Sequence, residues 1–164
     1  MTKAVRIATV GAALAGSVVL LQGPLASASP TGGPPDGDRG TVLEFDVQFS
    51  PFHLTDPAGD GPTAGDTIVF DDVLLVEGTQ VGHEVGSCDV VDVTDTGPVA
   101  SCTAVLTLDG RGTVTYSLEN APPPRKELAV TGGSGEFRSA GGEGVLVENG
   151  DGTGTLTLDL DLDG

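Results

Sequence analysis

From Thr41 onward the chain never runs more than a few apolar residues before a glycine, proline or aspartate interrupts it, and the apolar residues alternate with polar ones. That pattern constrains the fold more than any other feature, because a period of two puts successive side chains on opposite faces of a strand. In Thr41–Phe49, Leu43, Phe45, Val47 and Phe49 share one face while Glu44, Asp46 and Gln48 share the other. Further strands are predicted at Thr67–Val76, Val81–Val93, Ala100–Leu108, Thr113–Glu119, Glu127–Thr131, Gly144–Glu148 and Thr155–Leu162. Asp109-Gly110-Arg111-Gly112 reads as a tight hairpin turn, and Pro122-Pro123-Pro124 ends the fifth strand, because proline cannot donate to a ladder. No segment of useful length has a helical apolar period, and 26 glycines with 11 prolines weaken any helix interior. Eight short strands with hairpin-length connections predict an all-β sandwich or closed barrel, and a barrel of eight has room for one small ligand.

The first 28 residues stand apart. Lys3 and Arg6 precede an uncharged Ile7–Leu21 stretch, and Ala26-Ser27-Ala28 has the small-x-small form of a cleavage site. This is the pattern of a secretory signal peptide, too short in its apolar part for the roughly 20 residues of a span. A secreted, extracellular product follows, with no membrane attachment after cleavage. Residues 29–40 (SPTGGPPDGDRG) have almost nothing to bury and read as a flexible leader, leaving 41–164 as one domain. Cleavage removes two cations and no acid. The net charge then goes from −17 to 5 basic against 24 acidic residues, or −19. Such a chain has no basic footprint for nucleic acid. Its two cysteines, Cys88 and Cys102, are an even count in an exported chain and predict one disulfide.

Familiar catalytic signatures are absent: there is no GxSxG, Walker loop, HExxH or paired CxxC, and only His53 and His83 could serve as imidazole ligands, so no metal site is predicted. Asp159-Leu160-Asp161-Leu162-Asp163-Gly164 has the spacing of half a calcium loop, but an amphipathic strand produces the same spacing. The carboxylates of interest are Glu44, Asp46, Asp71 and Asp72. On an outward face they are solvated; inside an apolar barrel their pKa values would rise and they could do acid or base work.

Lys126–Gly142 reads KELAVTGGSGEFRSAGG, and its LAVTGGSG-x-F core resembles the late signature of the allene oxide cyclases and of the related dirigent proteins. Gly65-Asp66, Phe70-Asp71-Asp72-x-Leu74, Val81-Gly82 and Gly86-x-Cys88 follow the same order, with Asp71-Asp72-x-Leu74 in the dirigent form. The likeness spans Thr41 to Leu162. It implies an eight-stranded antiparallel, calycin-like barrel, often a homotrimer, with a pocket for a hydrophobic small molecule and no cofactor. It implies catalytic roles for Glu44, Asp46 and Asp72 in an isomerase or cyclase, with Asp71 and Cys88 at the pocket. A dirigent-like protein would steer a reactive intermediate instead, and a non-catalytic binding or structural barrel is the alternative. The glycines of Gly132–Gly135 have a plainer role, supplying the backbone freedom a strand needs to leave the wall and return. One conflict stands: the apolar face of the first strand belongs in a core, whereas the resemblance turns Glu44 and Asp46 inward.

Overall fold

In the computed structural model, residues 40–122 and 124–162 are described; the expected signal peptide and most of the leader lie outside them. Among the described residues nine strands form: β1 (Thr41–Gln48), β2 (His53–Thr55), β3 (Thr67–Val76), β4 (Thr79–Thr94), β5 (Gly97–Leu108), β6 (Gly112–Asn120), β7 (Arg125–Gly133), β8 (Gly141–Glu148) and β9 (Thr153–Asp161). Consecutive strands from β3 to β9 pair antiparallel, β9 pairs with β1, and β1 returns to β3 through Asp46–Gln48 against Val73–Leu75. The sheet is therefore a closed, eight-stranded antiparallel barrel, as expected. The extra strand, β2, is only three residues long. It pairs with Thr67–Val69 of β3, continuing the seam where β1 stops, so that Phe49–Phe52 forms a bent bridge between β1 and β2.

The alternation sorts the wall into faces. Leu43, Phe45 and Val47 are buried and Glu44, Asp46 and Gln48 exposed, so burial decides the orientation of β1. The same phase buries Leu156, Leu158 and Leu160 on β9 and Ala104, Leu106 and Leu108 on β5. One end of the barrel is filled by Leu43, Leu74, Leu108, Val114 and Leu160. There the space above Gly82 is taken by Leu108, and that above Gly144 by Leu128 and Leu158.

A plug completes this end. After β7 the chain leaves the wall, makes a single 3-10 turn at Gly135–Phe137, and inserts Phe137, 1% exposed, under the barrel. Gly112 and Gly135 permit it. Both have positive φ (129° and 64°), and a Cβ on either would strike the backbone of the other's turn. Outside, Arg111 caps the plug: its guanidinium lies 4.9 Å from the Phe137 ring centroid and 2.8 Å from a Glu136 carboxylate oxygen. The glycine block thus shapes the barrel, as its sequence suggested.

Candidate active site

At the other end Cys88, Val90, Ala100 and Cys102 form a smaller buried cluster, and the inward residues around it do not close the barrel. Ile68 and Phe70 of β3, Leu118 of β6 and Leu146 of β8 stand around a cavity of about 600 Å³, within the range of small-molecule sites. Phe49, Ser50, Pro51 and Phe52 form one side of it, and Phe52 is 64% exposed at the mouth. The predicted disulfide is present: Cys88 and Cys102 stand opposite each other on β4 and β5, and their bond forms part of the cavity wall.

The floor is polar. Asp72 of β3 and Glu84 of β4 are directly opposite in the ladder, both on the inner face and both buried. From β6, the hydroxyl of Tyr116 donates a hydrogen bond to Glu84 Oε1. Ser50, in the bent bridge, donates twice to Asp72 Oδ1, from its backbone N–H at 2.7 Å and from its hydroxyl at 3.1 Å. The kink at Ser50-Pro51 thus folds a pair of donors over a carboxylate that the β ladder alone would leave unsatisfied.

Burial dominates the titration of this cluster, because a charge loses its hydration there. It pushes the Glu84 carboxyl up to about 7; the Tyr116 hydrogen bond pulls against that shift and the charge of Asp72 adds to it. Burial also raises Asp72, opposed by the two Ser50 donors and assisted by the charge of Asp71. Tyr116 is raised as well, first by burial and then by Glu84, and stays protonated as a donor. Two like charges facing each other at this depth favour a shared proton. Near neutral pH, Glu84 can therefore both take a proton and return one.

Nearer the mouth, Lys126 is buried, donating to the Ala121 carbonyl at 2.7 Å with its ammonium 3.7 Å from Glu148. This pair ties β7 and β8 to the loop after β6. Among the described residues, no group of three or more His, Cys, Asp or Glu side chains is placed to hold a metal ion.

Of the residues singled out from sequence, Asp72 and Cys88 reach the cavity. Glu44, Asp46 and Asp71 stand on the outer face, exposed, because their neighbours Leu43, Phe45, Val47 and Asp72 take the inside. The conflict over β1 is settled in favour of burial. Glu84 and Tyr116 were missed, although both had a signal. Glu84 is in phase with Gly86 and Cys88, and Tyr116, the only tyrosine, is in phase with Val114 and Leu118.

The closed eight-stranded antiparallel barrel is the fold of solved dirigent and cyclase barrels, and the chain has that allene oxide cyclase/dirigent-like fold. Among solved structures it is similar to a pyocyanin demethylase, at 27% identity over 74% of this chain and 100% of that one, with a TM-score of 0.67. It is similar in fold to the pterocarpan synthase dirigent protein GePTS1 (19% identity; 73% of this chain, 82% of that one; TM-score 0.55). A third likeness is to the Diels Alderase AbmU from Streptomyces koyangensis (14% identity; 79% and 72%; TM-score 0.59). No protein-family model matches the chain, and no curated protein sequence matches it.

Proposed function

We propose that this protein is a cofactor-independent enzyme that moves a proton within an apolar small molecule held in the barrel, an isomerase or cyclase in reaction type. The observation that carries this reading is the Asp72–Glu84–Tyr116 cluster at the floor of a largely apolar cavity. A general base works best with a pKa near the working pH, and burial brings Glu84 there. Glu84 takes a proton from a carbon or hydroxyl of the ligand and returns it elsewhere on the same molecule. Tyr116 holds the Glu84 carboxyl in place, and Asp72 keeps its proton affinity high. The cavity walls contribute by restricting the ligand to few conformers. Atoms and electrons balance within the ligand. The likeness to a demethylase across that protein's whole length supports an enzyme over a passive carrier, and a barrel filled only at one end does not suit a purely structural role.

We also propose export, with the first 28 residues as signal peptide. The Cys88–Cys102 bond supports this, since such bonds persist in oxidising compartments. Association as a homotrimer, which the resemblance implies, fits the outer face of β4–β6, where Val85, Ser87, Thr103, Val105, Thr115 and Ser117 line an uncharged groove on a strongly acidic protein.

The test of catalysis uses 2-tetralone, an apolar carbon acid small enough for the cavity, in D2O. Deuterium should enter at its acidic carbon faster than without protein, on a pH profile rising through about 7. Glu84→Gln should lower the rate by roughly 100-fold or more. Equal exchange by the wild type and Glu84→Gln would remove Glu84 as the base. Binding without exchange would make the barrel a carrier.

A further inference from the structure

The charges inside the cavity do not cancel along its length. Near the mouth, Lys126 stands against Glu148, one cation to one anion. At the floor, Asp72 and Glu84 face each other, and the polar groups that meet them are hydroxyls and an N–H from Ser50 and Tyr116. Ser50 satisfies one oxygen of Asp72 and Tyr116 one oxygen of Glu84. The rest of the lining is mostly hydrocarbon and sulfur, with the aromatic rings of Phe49, Phe52 and Phe70 and one uncharged polar side chain, Asn120.

We propose that the ligand of this cavity is an apolar organic cation, a protonated amine or N-alkylated aromatic ring, seated with its positive charge toward Asp72 and Glu84. The inference deepens the acid–base reading given above and rests on it. A carboxylate or phosphate head group would meet two acids in a poorly hydrated space, where repulsion is weakly screened. A cation meets the reverse: it offsets the floor charge, and aromatic faces attract it further. The pairing also suits the chemistry, because a positive charge beside a C–H bond makes that hydrogen more acidic. The proton passes from carbon to Glu84 and returns at another atom of the same molecule, with no electrons exchanged.

Three probes of nearly equal shape test this by equilibrium binding to the whole protein at pH 7.5: N-methylquinolinium, 1-methylnaphthalene and 1-naphthoate. N-methylquinolinium should bind at least tenfold more tightly than 1-methylnaphthalene, and 1-naphthoate most weakly. The acidic exterior could attract any cation, so two double variants locate the effect. Asp72→Asn with Glu84→Gln removes the pair facing inward across β3 and β4. Glu143→Gln with Asp159→Asn removes a pair facing each other across β8 and β9 on the exposed outer face. The cation preference should vanish in the first and persist in the second.

If the inner variant does not fold, the pH dependence of the wild type decides. The titratable groups facing Glu84 are Asp72 from β3 and Tyr116 from β6, while its ladder partner on β5 is Leu106. Raising the pH from 6 to 8 ionises Glu84, so cation affinity should rise severalfold while methylnaphthalene affinity stays flat. Three outcomes would overturn the inference: equal affinity for the cation and its neutral isostere, a preference that survives loss of the inner pair, or a flat pH dependence. If methylnaphthalene binds as well as the cation and 2-tetralone still exchanges, the cation is lost and the acid–base function stands. If none of the probes binds, the cation inference falls, and if 2-tetralone also fails to exchange, the acid–base function falls with it.

Discussion

Leu43, Leu74, Leu108, Leu160 and Phe137 close one end of this barrel, while Ile68, Phe70, Leu118 and Leu146 line about 600 Å³ of open space at the other. The same strands supply both sets. At the closed end leucines from neighbouring strands occupy the gaps over small inward residues, Leu108 over Gly82 and Leu128 and Leu158 over Gly144. At the open end the inward residues of β4 and β5 are Cys88, Val90, Ala100 and Cys102, a small cluster with Ile68, Phe70 and Leu118 packed on it, and the space beyond stays open. Asp72, Glu84 and Tyr116 sit where the two regimes meet. The leucine layer beneath them excludes water from below, and that exclusion raises Glu84. Stability and chemistry are thus divided along the barrel axis, and the filled half makes the reactive half possible.

The division is most severely tested by truncation. Phe137→Ala or Leu158→Ala removes a side chain that is 1% or 0% exposed from the closed end and should cost about 3–5 kcal/mol, as such core deletions do. Leu146→Ala, beside a cavity already present, should cost less than half as much, because the new space merges with existing space. Urea unfolding of the three variants measures the contrast, and equal losses would mean the two ends are packed alike.

The disulfide reinforces the small cluster at the open end. Cys88 and Cys102 are 14 residues apart, and closing a loop of that length contributes roughly 3 kcal/mol by restricting the unfolded chain. Reduction, or replacement of both cysteines by alanine, should lower stability by that amount. Hydrogen exchange should rise first in β4 and β5 around the bond and last in the leucine layer. Uniform loosening of the barrel would erase the distinction between its ends.

A titration separates the ends differently. The folded-state pKa of Glu84 is about 7 against an ordinary 4.5, so the folded state holds a proton that the unfolded chain releases. Stability from this group is fully present below about 4.5 and is lost as pH rises through 7, totalling about 3 kcal/mol at most. Asp72, also raised, acts in the same direction. The wild type should therefore lose stability between pH 5 and 8 relative to Glu84→Gln, whose side chain does not ionise. Parallel pH profiles for the two proteins would show that Glu84 titrates as it does in water.

The barrel was largely legible in the sequence because period-two alternation is a local signal. Leu43-x-Phe45-x-Val47 and Leu156-x-Leu158-x-Leu160 state which way each strand faces. Strand β2 was not legible: three residues after a proline carry no period, and β2 exists only because β3 outruns β1. The site was half legible. Asp72 and the disulfide were named, but the resemblance drew attention to Glu44 and Asp46, whose own strand pattern put them outside. Glu84 lay in a run, Val81-Gly82-His83-Glu84-Val85-Gly86, with glycines on its own face and valines on the other. A glycine-lined inner face does not register as apolar, so nothing in the local pattern marked the acid within it as inward-facing. Its meeting with Tyr116 is a matter of tertiary register, 32 positions apart in the chain.

The smallest expected effect lies at the Ser50 hydroxyl. It donates to Asp72 at 3.1 Å and accepts from the Asp71 backbone N–H at 3.3 Å, so it pins the bent bridge to β3 while the Ser50 backbone N–H makes the shorter bond. Ser50→Ala keeps that backbone donor and should cost only about 1 kcal/mol of stability. Its effect on titration is more informative. Both Ser50 donors favour the ionised form of Asp72, so loss of the hydroxyl should raise the Asp72 pKa further. With less negative charge opposite, Glu84 gives up its proton more readily, and the neutral limb of the 2-tetralone exchange profile should move to lower pH. Closed-end variants such as Leu158→Ala should leave the position of that limb unchanged while costing far more stability. A Ser50→Ala profile superimposable on the wild type would separate the bridge from the proton chemistry and leave it only the task of closing the wall.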